Sequence, residues 1–280
     1  MSFEIRTMQR DEVDIAVNWA AKEGWNPGLH DAECFYQADH DGFLFGIKDG
    51  RPATCISVVR YGNDFAFLGF YIVAPEFRGQ GLGYEIWQAG MAQLAGRNVG
   101  LDGVVDQQEN YRKSGFKLAY NNMRYEGVTS STNHPEVTLY RLANAELSDI
   151  CQYDRPFFPA NRKIFLRHWI SQPEAVVLGY RVEGQLRGYG MIRPCRSGYK
   201  IGPLFADSAD MAEQLFLRLT SSVTANQPVF LDICDRNQEA LGLVDRHGMT
   251  RVFDTARMYT GQEPRLPFPR LYGVTSFELG

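Results

Sequence analysis

The run Tyr71-Ile72-Val73-Ala74-Pro75-Glu76-Phe77-Arg78-Gly79-Gln80-Gly81-Leu82-Gly83 constrains this 280-residue chain more than any other stretch. Residues 65–73 (FAFLGFYIV) read as a largely buried strand, and residues 82–95 as a helix with Leu82, Ile86, Gly90 and Leu94 on one face. Between them, glycines recur at 79, 81 and 83. Glycine lacks a Cβ and accepts positive φ, so the backbone of such a loop approaches a ligand closely and turns several N–H groups into one concavity. The helix behind it adds unpaired N–H groups and the positive end of its dipole, which together suit a pyrophosphate. Arg78 and the Gln80 backbone would add donors at the rim. No Gly-Lys-Ser/Thr follows, so this is not a Walker loop, and the full GxGxxG of a dinucleotide site is missing. The plainer alternative is a turn that merely lets a strand meet a helix.

Around this run, helical and strand patterns alternate. Residues 10–23 place Val13, Val17 and Ala20 at helical spacing behind acids, and residues 31–39 predict a short second helix. Residues 43–48 and 53–60 flank Asp49-Gly50, a hairpin signal. A strand over 99–105, a short helix over 108–114 and a strand over 116–125 follow. The turn-rich stretch 127–137 is the best linker. Beyond it the order recurs: a helix over 161–169, strands over 175–182 and 186–192 about a Glu183-Gly184 turn, and a strand over 199–205. A helix over 209–220, a strand over 229–233 and a helix over 237–246 follow. The strongest internal match pairs residues 101–127 with 231–261, both opening Leu-Asp and closing on Met-Arg-Tyr or Arg-Met-Tyr. The expected fold class is α/β (α+β) in two related domains, 1–130 and 138–280, each a mixed, mostly antiparallel sheet flanked by helices.

Net charge is -4, without the basic excess of a nucleic-acid binder. No run approaches the roughly 18 apolar residues of a membrane span, and MSFEIRTMQRDEVD carries acids where a signal peptide would be apolar. The five cysteines are odd in number and widely spaced, with no CxxC or Cys/His pair at metal-ligand distance. The expectation is a reduced, cytoplasmic protein without a metal, a nucleic-acid partner or a membrane partner.

At residues 71–83, and again at Tyr111-Arg112-Lys113-Ser114-Gly115-Phe116, the chain resembles the GNAT superfamily of acyl-CoA-dependent N-acetyltransferases. The resemblance covers residues 3–127 and, more faintly, 138–260. It implies acetyl-CoA as co-substrate, with Phe70, Ile72 and Val73 flanking the pantetheine arm. Arg78, Gly79, Gln80, Gly81, Leu82 and Gly83 would hold the phosphates, and Tyr111 would protonate the departing thiolate. Gly69 would ease a splay of the strand or mark a bulge. The family's upstream Asn-x-x-Ala is replaced here by Val104-Val105-Asp106-Gln107. The second copy departs further. It has Lys200–Asp207, with one glycine and an acid, where the phosphate loop belongs, and Val244 where Tyr111 would align. It reads as a degenerate copy that shapes the acceptor site or an interface.

The implied activity is direct acetyl transfer to a primary amine of a small molecule or peptide, by a monomer or homodimer. A non-catalytic acyl-CoA sensor or interaction module is the alternative, and transfer to a hydroxyl a third reading. An ammonium is protonated at neutral pH, so a base must help. Asp102 and Asp106 lie on or just after a strand beside the coenzyme site and are candidates, and each could equally be a turn acid or a helix cap. Glu23, His30, Asp31 and Glu33 lie in the N-terminal helical region with Trp25, Phe35 and Tyr36, which would wall a pocket or join the core. Residues 271–279 (LYGVTSFEL) alternate like a strand, and an edge strand completing a sheet is the plainer reading. By resemblance, Glu278 or the Gly280 carboxylate would instead be the base. Asp154-Arg155-Pro156-Phe157-Phe158 with Arg162 would line a groove or anchor a loop by an ion pair.

Overall fold

The computed structural model describes residues 2–129 and 139–280. The first half starts with β1 (Phe3–Thr7), α1 (Arg10–Lys22) and α2 (Asp31–Ala38). The hairpin β2 (Phe43–Lys48)–β3 (Arg51–Tyr61) turns at Asp49 and Gly50, both at positive φ as a two-residue hairpin turn requires. Then come β4 (Phe65–Val73), α3 (Leu82–Gln93), β5 (Asn98–Val104), α4 (Gln108–Lys113) and β6 (Lys117–Val128). The second half repeats the plan with β7 (Leu139–Arg141), α5 (Leu147–Asp154), α6 (Lys163–Trp169) and β8 (Val176–Val182). It continues through β9 (Gln185–Pro194), β10 (Tyr199–Ala206), α7 (Ala209–Ser221), β11 (Pro228–Cys234), α8 (Gln238–Arg246) and β12 (Thr250–Tyr259), and ends with β13 (Leu271–Gly273). Residues 130–137 of the expected linker, and residue 138, the expected start of the second domain, lie outside the described residues.

Among the described residues, thirteen strands join one sheet, in the order β1-β2-β3-β4-β5-β12-β6-β11-β10-β9-β8-β7, with β13 added against β10. Pairing is antiparallel except for β4 with β5 and β10 with β11. The centre of the sheet is an exchange. β12, from the second half, pairs with β5 of the first, and β6, from the first, pairs with β11 of the second. The internal repeat explains what holds this crossing. Arg257 on β12 faces Asp102 on β5, and Arg124 on β6 faces Asp232 on β11. Both pairs are buried and bidentate, at 2.8 and 2.6 Å for Arg257 and 2.7 Å twice for Arg124. Asp102 and Asp232 are the repeated Leu-Asp acids, and the arginines are those of the repeat's closing segments. Each half thus supplies the partner for the other's buried carboxylate.

Helices cover both faces. Leu82, Ile86 and Trp87 of α3 pack with Leu101, Tyr111 and Met258 on one face of the first half. On the other face, Val17 of α1, Phe35 of α2, Ile150 of α5 and Trp169 of α6 share a core with Val274, Phe277 and Leu279 of the C-terminal segment. Each such side chain taken out of water contributes about 1.5–3 kcal/mol. The alternation in 271–279 is therefore misleading: the strand stops at Gly273, and all ten residues from Leu271 to Gly280 are buried between the halves. An edge strand would leave one face wet, whereas this segment has no wet face.

Candidate functional site

β4 and β5 pair in parallel only from Phe65/Asn98 to Leu68/Leu101, and beyond that point they part. A β-bulge against β3 marks the parting, since two residues advance between Cys55 and Ser57 while three advance between Gly69 and Ile72. Phe70, inside the bulge, has φ of 46°, and its ring is held in the core by Phe35 at 5.5 Å and Phe43 at 6.1 Å. A non-glycine residue is kept in left-handed backbone here because packing on all sides fixes it. Gly69, by contrast, is needed for close approach: a Cβ there would lie 2.3 Å from the Glu278 carbonyl oxygen.

After Val73 the chain passes through a short 3-10 turn (Pro75–Phe77) into the glycine loop. Gly79 and Gly81 have φ of 75° and 82° with open space where a Cβ would stand, so backbone conformation requires them. Gly83 is required for contact: its Cβ would lie 2.9 Å from the Tyr71 hydroxyl and from Val73 Cγ2. Gly81 caps α3 without a side-chain acceptor, and the amides of residues 79–83 have no intramolecular acceptor among the described residues. A run of unpaired amides on a helix N-terminus fits a diphosphate. Arg78 is half-exposed beside them; its Nε donates to the Val73 carbonyl at 3.0 Å and its guanidinium pairs with Glu23.

A cavity of about 760 Å³ follows the parting of β4 from β5. Its lining includes the expected Phe70, Ile72, Val73, Arg78, Gly79, Gly81, Leu82 and Gly83, together with Tyr111, Asp102, Asp106 and Glu278. Gln80 is the expected residue outside the lining, and its side chain donates to the Glu76 carbonyl. The cavity also receives Trp25, one of the aromatic residues expected to wall a pocket, and Phe253, Thr255 and Phe277, which nothing in the local sequence pattern marks. Tyr111 belongs to the core on the α3 face, Phe277 to the core on the opposite face. The cavity therefore runs through the sheet, with Tyr111 on one side and the aromatic group of the C-terminal half on the other.

The four acids of the lining differ. Asp102 accepts both bonds from Arg257 and a further one from Asn122 at 2.9 Å, and its side chain is fully buried. Asp232 makes the same pair with Arg124 in the other half, so the ion pair with Arg257 accounts for the burial of Asp102 without a catalytic role. Asp106 sits on the exposed 3-10 turn leading to α4. Glu23 is committed to Arg78. Glu278 is 4% exposed, reaches the cavity, and has no side-chain hydrogen bond or ion pair among the described residues. Gly280 is outside the lining: its backbone oxygen accepts from Arg162, itself paired with Asp154. That buried pair makes the Asp154–Arg162 cluster an anchor, not a groove. Tyr111 is stacked on Trp87 at 5.6 Å, and burial, with Tyr71 beside it, raises its pKa, so the phenol keeps its proton.

Of the N-terminal candidates, Trp25 alone among the aromatics reaches the cavity. Phe35 is core and Tyr36 stacks on His40. Asp31 is buried against Arg193 at 2.8 and 3.1 Å, while His30 and Glu33 line a separate hollow of about 430 Å³. Among the described residues no group of three or more His, Cys, Asp or Glu is arranged to hold a metal ion, and no helix is long and apolar enough to cross a membrane.

Two family models match the chain: an acetyltransferase (GNAT) family model over residues 9–116 and an acetyltransferase (GNAT) domain model over residues 150–273. A holothin acyltransferase from a Pseudoalteromonas species is 29% identical across 96% of this chain and 92% of its own length. An uncharacterised N-acetyltransferase from Bacillus subtilis is 24% identical across 99% of this chain and 98% of its own. Among solved structures, a Pyrococcus horikoshii protein assigned as an acetyltransferase superposes with a TM-score of 0.84 at 22% identity, covering 99% of this chain and 96% of that one. A tandem GNAT protein of the clavulanic acid pathway shares the fold, with a TM-score of 0.64 at 11% identity over 94% of this chain and all of that one.

Proposed function

The chain belongs to the GNAT superfamily, with two such domains in tandem, and from that premise we propose that it transfers an acetyl group from acetyl-CoA directly to a primary amine of a small molecule or peptide. Acyl transfer follows from membership and from likeness to an acyltransferase of nearly the same length. The donor, the nitrogen acceptor and the residue roles are our reading. One observation carries it: a single cavity collects the glycine loop, the parted strand edge, the protonated phenol of Tyr111 and the unpaired carboxylate of Glu278.

Acetyl-CoA supplies an activated thioester. The chain's contribution begins with the amides of residues 79–83 and Arg78, which hold the diphosphate. The strand edge of Phe70–Val73, left without a partner by the retreat of β5, takes the pantetheine arm and offers N–H groups to the thioester oxygen. Glu278 takes a proton from the incoming ammonium, the nitrogen forms its bond to the acetyl carbon as the C–S bond breaks, Tyr111 gives its proton to the departing sulfur, and the second proton shed by the nitrogen restores the phenol. Acid and base on opposite faces of the sheet match an amine arriving from the face away from α3. The free cysteines are buried or half-buried with thiol pKa values pushed up by burial, which argues against an acyl-enzyme route.

The test is thiol release from acetyl-CoA against a panel of amines. Tyr111→Phe is expected to bind CoA as the parent does and to lose about 100-fold in kcat, within the usual range for a general acid. Unchanged turnover in that variant would remove the acid role. Binding of CoA without transfer to any amine would instead leave a sensor.

A further inference from the structure

We infer that the acceptor is a monoamine built on a flat apolar body, which lies against Trp25, Phe253 and Phe277 and carries its nitrogen toward Glu278, and that Arg124 is the positioning residue for this wall. The inference rests on the transferase reading above and narrows its acceptor.

The three aromatic residues reach the cavity from the α1–α2 connection, from β12 and from the C-terminal segment. Trp25 and Phe253 are half-buried, so they keep accessible apolar surface inside a cleft, the usual mark of a small-molecule subsite. Arg124 ties the three together. Its Nη1 donates to the Trp25 carbonyl at 2.6 Å, and its guanidinium lies 5.0 Å from the Phe277 ring centre and 5.9 Å from that of Phe253. Those two rings are 6.5 Å apart and tilted by 38°. Asp232 grips the other edge of the guanidinium, and the Lys200 ammonium donates to the Asn26 carbonyl at 2.9 Å. The wall is pinned by two buried cations and is rigid before any ligand arrives, which favours one shape of ligand over many.

The repeat makes the point sharper. Arg257, the counterpart of Arg124, lies over Phe67 at 4.9 Å and Tyr120 at 5.8 Å, and neither ring lines the cavity. The same arginine-and-aromatic arrangement is buried structure in one copy and the wall of a cleft in the other. Charge excludes a polyamine. Of the lining acids, Asp102 and Glu23 are ion-paired and Asp106 leads into the helix that carries Tyr111; Glu278 alone stands with the aromatic group. A second ammonium would be desolvated there without a partner.

The experiment compares benzylamine and tryptamine with n-butylamine and 1,4-diaminobutane, using acetyl-CoA as donor. Binding of each amine to the CoA-loaded protein is measured separately by calorimetry. The expected result is at least about 10-fold higher kcat/KM, and tighter binding, for the aromatic amines. In Phe253→Leu the preference should shrink about 5-fold with CoA affinity unmoved. Arg124→Lys should raise KM for the aromatic amine while leaving KM for acetyl-CoA in place, a split that a purely structural arginine would not produce. Equal or better use of the aliphatic amines, or a preference untouched in Phe253→Leu, overturns the inference and leaves the transferase standing. Binding of CoA with no transfer to any amine, and no calorimetric binding of the aromatic ones, overturns both.

Discussion

Replacing Gly69 with alanine isolates the contact between the parted strand and the segment that bears Glu278. The backbone at residue 69 lies outside the positive-φ region, so alanine meets no conformational penalty and any effect is steric. The new Cβ would stand 2.3 Å from the Glu278 carbonyl oxygen and 3.1 Å from Ser57 Oγ. Ordinary contact begins at 3.4 Å, so the C-terminal segment must retreat by about 1 Å. Overpacking of that kind costs about 1–3 kcal/mol, or a few degrees in Tm for a chain of this size. Its larger consequence is catalytic, since a misplacement of about 1 Å in a reacting group is enough for a loss near 100-fold. Steady-state kinetics, calorimetric affinity for CoA and thermal melting separate the effects. We expect kcat to fall about 30- to 100-fold, CoA affinity to change less than about twofold, and Tm to drop modestly. If kcat and Tm both stay at the parent values, Gly69 is not a close-approach glycine and Glu278 is not held by this contact. If the loss in CoA affinity matches the loss in kcat, the residue acts through the coenzyme strand instead.

The remaining expectations concern the loop, the crossed pairs and acid stability. Gly81→Ala forces a Cβ into left-handed backbone at the start of α3, a cost of about 1–2 kcal/mol with no steric clash, and should raise KM for acetyl-CoA about 10-fold with little change in kcat at saturation. Asp102→Asn and Asp232→Asn each strip a buried arginine of its counter-charge and should lower urea stability by similar amounts, about 3–5 kcal/mol. A loss of kcat in folded Asp102→Asn with none in Asp232→Asn would restore Asp102 as a base. Burial alone would raise the pKa values of Asp31 and Asp232, but Arg193 and Arg124 more than offset it and hold both below the ordinary aspartate value. Depressed carboxylates contribute stability above their unfolded pKa of about 3.9 and lose it as pH falls through the folded value. Tm should therefore be flat from about pH 5 to 7 and decline below about pH 4, and a protein equally stable at pH 3 would contradict the lowered values.

The strand, glycine loop and helix assigned to the coenzyme in the proposed reading were legible as structure because they are written locally. Strand, loop and helix are contiguous in residues 65–95, and glycines at 79, 81 and 83 carry their reason in backbone geometry. The placing of Tyr111, the proposed acid, was legible for the same reason, in a short helix followed by Gly115 at φ of 89°. The acceptor side is assembled from distant segments, and its parts look ordinary alone: Phe253 sits in a strand pattern and Arg124 in another. The repeat held the missing signal. Aligning residues 101–127 with 231–261 pairs the two aspartates and the two arginines, but one chain read linearly does not reveal that each acid takes the other copy's arginine. For the same reason the ion pair that occupies Asp102 is hidden until the crossing is seen. In residues 271–279 the period of two was real in sequence and absent in structure beyond Gly273, because burial from every side removes the polar face that alternation normally signals.

The second copy shows why a degenerate domain and a C-terminal carboxylate occur together. β10 and β11 pair in parallel from Tyr199/Val229 to Ile201/Leu231 and then part, repeating the geometry of β4 and β5. In the first copy the gap is a cavity, whereas in the second β13 lies in it, with Leu204 opposite Gly273 and Phe205 opposite Leu271. The fit is close, since a Cβ on Gly202 would meet the Thr275 carbonyl oxygen at 2.6 Å and one on Gly273 would meet Leu231 at 2.7 Å. The helix terminus is closed as well: Ser208 caps α7 by accepting from the Met211 amide, where the first copy leaves its amides bare behind Gly81. A cleft occupied by the chain's own strand needs no phosphate loop, which accounts for the run Lys200–Asp207. That occupation also gives the segment its course. Once β13 is seated between β10 and β11, the next residues run through the interior to Gly69, and Glu278 arrives at the gap between β4 and β5. On the proposed reading, the filled gap of the second copy and the carboxylate in the cavity of the first are thus two results of the same ten residues.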